Sequence, residues 1–186
     1  DGGSGLQIIN LSDPSSPTRT GTFDTAGYAL GVTLSADGNT AFVADYSSGL
    51  QIIDVSNPSS PTLTGTLDTA GYAQGVTLSA DGNTAFVADS ASGLRIIDVT
   101  DSVDNGSSGI ATAPSIKSTL DTAGYANGVT LSADGNTAFV ADSGSGLQII
   151  DVSDPTNPTR TGTFDTAGYA NGVTLSADGN TAFVAD

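Results

Sequence analysis

The chain has 186 residues, with 20 acidic side chains against 4 basic ones and a formal net charge of −16. Every acid is Asp, and Cys, His, Met and Trp are absent, so disulfides, thiol chemistry and His or Cys metal ligation are excluded. So large a negative charge opposes binding to nucleic acid or anionic lipid, and no apolar run of the roughly 18 residues needed to cross a bilayer as a helix occurs.

The residues that remain are turn and strand formers. Gly, Asp, Ser, Thr and Asn supply tight turns, whereas Glu, Lys and Met, the usual helix formers, are scarce or missing. One string of 22 residues, DTAGYANGVTLSADGNTAFVAD, spans 121–142 and returns unchanged over 165–186, with near-copies over 24–45 and 68–89. The ruler is set by Tyr28, Tyr72, Tyr125 and Tyr169, spaced by 44, 53 and 44 residues. The long interval holds an insertion within Val99–Ser118, assigned to a loop over residues 100–115. The chain starts and stops at the same phase of the cycle and opens on Asp1 without an initiator Met, and the expectation is either that an export signal has been removed or that this is a piece of something longer.

The opening segments LQIINL and TRTGTFDT (Leu6 to Thr25) read as the third and fourth strands of a repeat. The first complete repeat then begins with GVTLS (Gly31 to Ser35), turns at ADGN, and continues as TAFVAD (Thr40 to Asp45). Asp-Gly between two apolar runs is a strong hairpin signal, because Gly accepts positive φ. A third strand, LQIIDV (Leu50 to Val55), follows the loop YSSG; SNPSSP interrupts the ladder, and TLTGTLDT closes the unit. The pattern predicts complete units at Gly31–Asp68, Gly75–Asp121 and Gly128–Asp165. Gly172 to Asp186 supplies only first and second strands.

Four antiparallel strands per ~44 residues, repeated, predict an all-β protein of the β-propeller type. Strands such as AFVA and LQII are apolar on both faces, as suits a sheet sandwiched between two neighbours. A parallel β-helix would need shorter coils and no hairpins. The expected core comprises Val32, Leu34, Phe42, Val43, Leu50, Ile52, Ile53 and their equivalents. The expected architecture is one domain over 1–186, or a four-blade segment of a longer propeller. The N- and C-terminal half-repeats share one blade: the strand from Gly172 to Asp186 ladders against Leu6 to Leu11 and closes a four-bladed ring. The alternative is pairing between chains, giving a self-assembling subunit of a surface filament, sheath or layer.

The repeat LQIIDVSDPTNPTRTGTFDTAGYANGVTLSADGNTAFVAD resembles the LVIVD repeat of bacterial secreted and surface β-propellers. Its LSADGNTAFVAD half is similar to the YVTN-type repeats of surface-layer proteins. The resemblance implies an extracellular or cell-surface location and no single activity.

Loops of a propeller alternate between two faces. One face is expected to gather the DTAGYA links and the ADxxSG loops, and with them Asp24, Asp45, Asp68, Asp89, Asp121, Asp142, Asp165 and Asp186. This oxygen-rich set is a candidate Ca²⁺ site. The competing reading is that each carboxylate caps a turn. Asp101, Asp104 and Asn105 in the insertion do not match an EF-hand loop and read as solvated. The four ruler tyrosines are expected to pack between blades with the hydroxyl on a carbonyl, an aromatic rim for sugar being the alternative. Leu30, Gln74, Asn127 and Asn171 vary where their neighbours do not, and lie at the mouth of the central channel as ligand candidates. The glycines that follow them, Gly31, Gly75, Gly128 and Gly172, are read as permitting close approach of inner strands.

With no His, Cys or Glu for a nucleophile–base pair, the chain is expected not to be an enzyme. The functional expectation is a structural or adhesive module on the outside of a bacterial cell, binding protein or glycan through its loop face. It inserts in no membrane and carries no cofactor beyond a possible Ca²⁺.

Overall fold

A computed structural model describes residues 3–100 and 113–186. Among them the secondary structure is entirely strand and turn. The expected loop at 100–115, including Asp101, Asp104 and Asn105, falls almost wholly outside the described residues.

Five sheets follow one another along the chain. The first is a two-stranded half-blade, β1 (Leu6–Asn10) with β2 (Thr18–Phe23). Three complete blades come next: β3 (Gly31–Leu34) to β6 (Thr62–Leu67), β7 (Gly75–Leu78) to β10 (Ser115–Leu120), and β11 (Gly128–Leu131) to β14 (Thr159–Phe164). Their middle strands are β4 (Thr40–Ala44), β5 (Leu50–Asp54), β8 (Thr84–Ala88), β9 (Leu94–Asp98), β12 (Thr137–Ala141) and β13 (Leu147–Asp151). A second half-blade, β15 (Gly172–Leu175) with β16 (Ala182–Ala185), ends the chain. All pairings are antiparallel meanders, and β4 meets β5 with Phe42 opposite Ile52 and Val43 opposite Gln51.

Local chemistry explains each meander. In the ADGN hairpin Gly38 has a φ of 74°, its amide bonds the Ser35 carbonyl at 2.9 Å, and the Asp37 carboxylate accepts from the Ser35 hydroxyl and the Asn39 amide. The same set recurs at Asp81, Asp134 and Asp178, and in each the hydroxyl bond, foremost, holds the carboxyl below its ordinary pKa.

Alternate residues of each middle strand feed two different cores. Phe42, Ala44, Leu50 and Ile52 of the first complete blade pack on Val76, Ala85, Val87 and Ile97 of the next. Phe86, Ala88, Leu94 and Ile96 repeat the arrangement against Ala138, Val140 and Ile150. Each such aliphatic contributes roughly 1.5–3 kcal/mol by leaving water. Both faces of a blade are therefore apolar, as its sequence implied.

The inner strands run side by side, β3 on β7, β7 on β11 and β11 on β15. The approach is tight: a Cβ added to Gly31 would lie 3.0 Å from the Gly75 Cα, and one on Gly75 would lie 3.3 Å from the Gly128 Cα. The glycines serve the close approach expected of them.

Two expectations require correction. The half-blades β1–β2 and β15–β16 are separate sheets and do not ladder on one another, so the chain forms an open arc, not a closed four-bladed ring with one shared blade. Ring closure depends on the rotation from blade to blade, which packing between sheets sets. As a result the assigned core fails at the N-terminal face: Val32 is 55% and Leu34 53% exposed, whereas their equivalent Val76 is 9% exposed. Nothing described covers them.

Candidate binding face

One face of the arc carries the links that enter each inner strand and the loops that follow each second strand. They are tied by two devices. Paired backbone bonds join Tyr46 to Ala73, Ser90 to Ala126 and Ser143 to Ala170, linking a blade to the segment entering the next. A carboxylate clamp then ties that segment to its own blade: Thr25, Thr69 and Thr122 donate their hydroxyls at 2.6 Å to Asp45, Asp89 and Asp142. Thr166 donates likewise to Asp186. The other oxygen of Asp45 accepts from the Gly27 amide at 2.8 Å. A side chain at Gly71 would collide with the Asp89 carboxylate, which fixes the Gly of every DTAG link.

The eight aspartates do share this face, but they fall into two kinds. Asp45, Asp89 and Asp142 are buried clamps, and Asp186 is a clamp of the same kind left exposed at the last half-blade. Asp24, Asp68, Asp121 and Asp165 are exposed, and the last three accept the amides of Ala70, Ala123 and Ala167, residues held at φ between 65° and 74°. Among the described residues no three carboxylates converge in a way that could hold a metal ion. Many of these oxygens are instead engaged by hydroxyls and amides of their own turns and links.

The clamps differ electrostatically. Burial raises the Asp89 carboxyl, opposed by the Thr69 hydroxyl and by Arg95, whose guanidinium lies 3.0 Å away. Asp142 has no such cation beside it. Burial pushes its pKa up to about 6, opposed only in part by the Thr122 hydroxyl, the Gly124 amide and the more distant charge of Arg160, and its Oδ2 lacks a hydrogen-bond partner of good geometry.

The tyrosines depart from expectation. Tyr28, Tyr72, Tyr125 and Tyr169 are 48–71% exposed and do not pack between blades. The space between sheets is already filled by Phe, Ile, Val and Ala side chains, and the rings are left on the loop face. Three tyrosines form a row there. Tyr46 stacks on Tyr72 with ring centroids 4.3 Å apart and planes 7° apart, and meets Tyr28 edge-on at 6.0 Å. Tyr46 itself sits in the left-handed region at φ 50°, a conformation it shares with Ser90 and Ser143 at the same place in other blades. Tyr46 was not singled out from sequence; its signal is a break in the repeat, Tyr where the other two complete blades carry Ser90 and Ser143.

The channel-mouth residues lie in file beside the inner strands. Leu30 is half exposed, Asn127 donates to the Ala170 carbonyl at 3.1 Å, and Asn171 donates to the Tyr169 carbonyl at 2.7 Å. The backbone carbonyl of Gln74 packs close to Gly31. Asn127 thus links one blade to the segment entering the next, whereas the Asn171 bond is local to its own link.

Repeated four-stranded blades, fanned about a glycine-lined inner edge and carrying their links on one face, define a β-propeller architecture. The chain belongs to the LVIVD repeat family, whose pattern matches residues 1–25, 26–69, 70–110 and 123–166. No curated protein sequence matches the chain significantly. Among solved structures it is similar to the periplasmic gluconolactonase PpgL of Pseudomonas aeruginosa, with a TM-score of 0.75 and 18% identity over 91% of this chain and 53% of that one. It is also similar to a putative 6-phosphogluconolactonase from Bacteroides uniformis, with a TM-score of 0.75 and 16% identity over 96% of this chain and 57% of that one. The β-propeller domain of Cps50 (Swd1) from Myceliophteria thermophila aligns with a TM-score of 0.70 and 12% identity, over 90% of this chain and 55% of that one. The chain spans about half the length of the structures it matches.

These likenesses correct the expectation that the chain is not an enzyme. A gluconolactonase and a putative 6-phosphogluconolactonase share this blade arrangement at a TM-score of 0.75, so the fold is one that proteins described as enzymes use. At 16–18% identity the likeness extends to the fold alone.

Proposed function

We propose that the chain is an interaction module of an exported bacterial protein, and that its loop face binds a neutral glycan chain. The observation behind this reading is the row Tyr28–Tyr46–Tyr72, held on the surface and not spent on the core. Exposed aromatic rings stack on the C–H faces of sugars, and the Asp, Ser and Thr groups of the adjoining loops offer hydrogen bonds to hydroxyls. The net charge of −16 repels anionic polymers, which narrows the class to neutral glycans. Location outside the cell follows the resemblance to secreted and surface LVIVD propellers.

Affinity electrophoresis through gels containing neutral polysaccharides tests the reading, with intrinsic tyrosine fluorescence as the solution readout. Retardation by at least one polysaccharide is expected, weakened about tenfold or more by Tyr46→Ser together with Tyr72→Ala, since stacking contributes on the order of 1 kcal/mol per ring. Unchanged retardation in the double variant, or binding to proteins alone, removes the proposal.

A second reading, lactone hydrolysis, is favoured by the likeness to the two lactonase-type structures. Acid release from glucono-δ-lactone above the spontaneous rate, followed by pH-stat titration, decides it.

A further inference from the structure

The loop after each second strand is joined to the link entering the next blade by the same two backbone hydrogen bonds. Tyr46 pairs with Ala73, Ser90 with Ala126 and Ser143 with Ala170, at 3.0–3.1 Å. The joining residue is left-handed in all three, with φ of 50°, 50° and 46°, a conformation that strains any residue but glycine. Backbone geometry is thus held constant at this place, and only the side chain differs. A link tyrosine precedes each bridged alanine, namely Tyr72, Tyr125 and Tyr169.

At the first bridge the joining side chain is itself a ring. Tyr46 lies flat on Tyr72, with centroids 4.3 Å and planes 7° apart, and so covers one face of it. At the other two bridges the same place holds serine, a hydroxymethyl group where the first has a phenol. Among the described residues no ring stacks on Tyr125 or Tyr169, and Tyr125 is 59% exposed against 48% for Tyr72. Tyr169 stays beside its loop: a Cβ built on Gly144, the neighbour of Ser143, would lie 3.8 Å from the ring. The equivalent neighbour of Ser90 is Ala91, also small.

We propose that the ring faces of Tyr125 and Tyr169 beside Ser90 and Ser143 are two further sugar subsites. Each takes one pyranose ring of a neutral glycan, in the place that Tyr46 fills before Tyr72. This rests on the glycan reading of the loop face and extends it to two blades that the tyrosine row does not reach. A chair pyranose presents a C–H face of about the area of a phenol ring, and such faces stack on tyrosine. The serine hydroxyl can both donate to and accept from a sugar hydroxyl, and exposed Asp121, on the same link as Tyr125, adds an acceptor. The net charge of −16 opposes an anionic occupant. Because the slots lie on successive blades, one glycan chain can engage both, and the second contact is then intramolecular.

Affinity electrophoresis of the whole 186-residue chain in gels containing laminarin, galactomannan or dextran tests the proposal. Two pairs of substitutions act on the same slots in opposite ways. Tyr125→Ala with Tyr169→Ala removes the platforms. Ser90→Tyr with Ser143→Tyr keeps both platforms and plugs them, on a backbone conformation that already carries Tyr46. Neither pair alters the charge, so mobility in plain gels and the circular dichroism spectrum should match those of the wild type. Retardation of the wild type by at least one polysaccharide is expected, weakened about fivefold or more by either pair. If the plugged pair does not fold, Ser90→Tyr alone replaces it, with weakening again expected. Plugged chains that bind as well as the wild type, or better, overturn the subsites, since added rings would then only add sticky surface. Unchanged retardation after loss of Tyr125 and Tyr169 overturns them too, and if Tyr46→Ser with Tyr72→Ala still weakens binding, the row reading survives alone. Weakening by both slot pairs but not by that row variant supports the subsites and removes the row. A wild type retarded in none of the three gels, or binding to proteins alone, overturns both.

Discussion

Replacing Asp142 by Asn should make the protein more stable at neutral pH and flatten its stability profile between pH 4 and 7. The native carboxylate is buried and accepts the Thr122 hydroxyl at 2.6 Å through one oxygen, while the other has no hydrogen bond of good geometry and only the Gly124 amide nearby. Burial raises its folded pKa from 3.8 to about 6. The sign follows from linkage. Below 3.8 the group is protonated in both states and costs nothing; as pH rises through 6 the folded state must hold a charge that the unfolded chain holds in water, and stability is lost. At 1.36 kcal/mol per pKa unit the step corresponds to roughly 3 kcal/mol at most, and to about half of that once local relaxation screens the charge. Asn keeps an oxygen or an amide for Thr122 and carries no charge. Urea titrations at half-unit pH intervals, read by far-UV circular dichroism, compare the two proteins. If the difference in unfolding free energy between variant and wild type is the same at pH 4 as at pH 7, the buried charge is not the source of the strain and the reasoning fails.

Arg95→Gln should destabilise the second complete blade by roughly 1–3 kcal/mol at pH 7, because it strips the cation from buried Asp89; the urea midpoint should recover on acidification. Gln is the residue at Gln51 and Gln148, so the variant is expected to fold, and an unshifted midpoint would count against the ion pair. Ala70→Gly relieves a non-glycine residue at φ 65° and should raise the melting temperature, by roughly 0.5–1 kcal/mol in stability. A lowered melting temperature in calorimetry would contradict it. Ca²⁺ should stabilise the protein no more than NaCl of equal ionic strength, since the eight loop-face aspartates do not converge; a Ca²⁺-specific rise in melting temperature would show that they do.

The strands were legible because three signals agree in every repeat. Asp37-Gly38 and its copies mark the hairpin, Pro58 and Pro61 break the ladder, and AFVA and LQII are apolar on both faces. The glycine preceding each GVTLS strand's valine was legible too, since only close backbone approach explains its return at the same place. Curvature was not. The angle between blades accumulates from packing such as Phe42 on Val76, and no single repeat encodes where the arc closes. Val32 was misplaced for the same reason, as its burial requires a neighbour that the arc does not bring round. The two kinds of aspartate look alike in sequence. Asp45 is buried because it ends a strand that is buried throughout, whereas Asp24 follows the solvent-facing β2. Tyr28 was assigned to the interior on residue type, yet the sheets leave no room for its ring.

The glycine-lined inner edge sets where the family can change its length. Adjacent inner strands already touch backbone to backbone at Gly31 and Gly75, so an added methyl there would force neighbouring blades apart and open the fan. Toward the rim the blades meet solvent: the fourth strands β6 and β14 are largely exposed, whereas the third strands inside them are buried. The long insertion of this chain lies between β9 and β10, on the outer half of a blade. Growth of the repeat, by duplication or by drift, is thus steered outward: the hub keeps a fixed pitch while the circumference absorbs extra sequence.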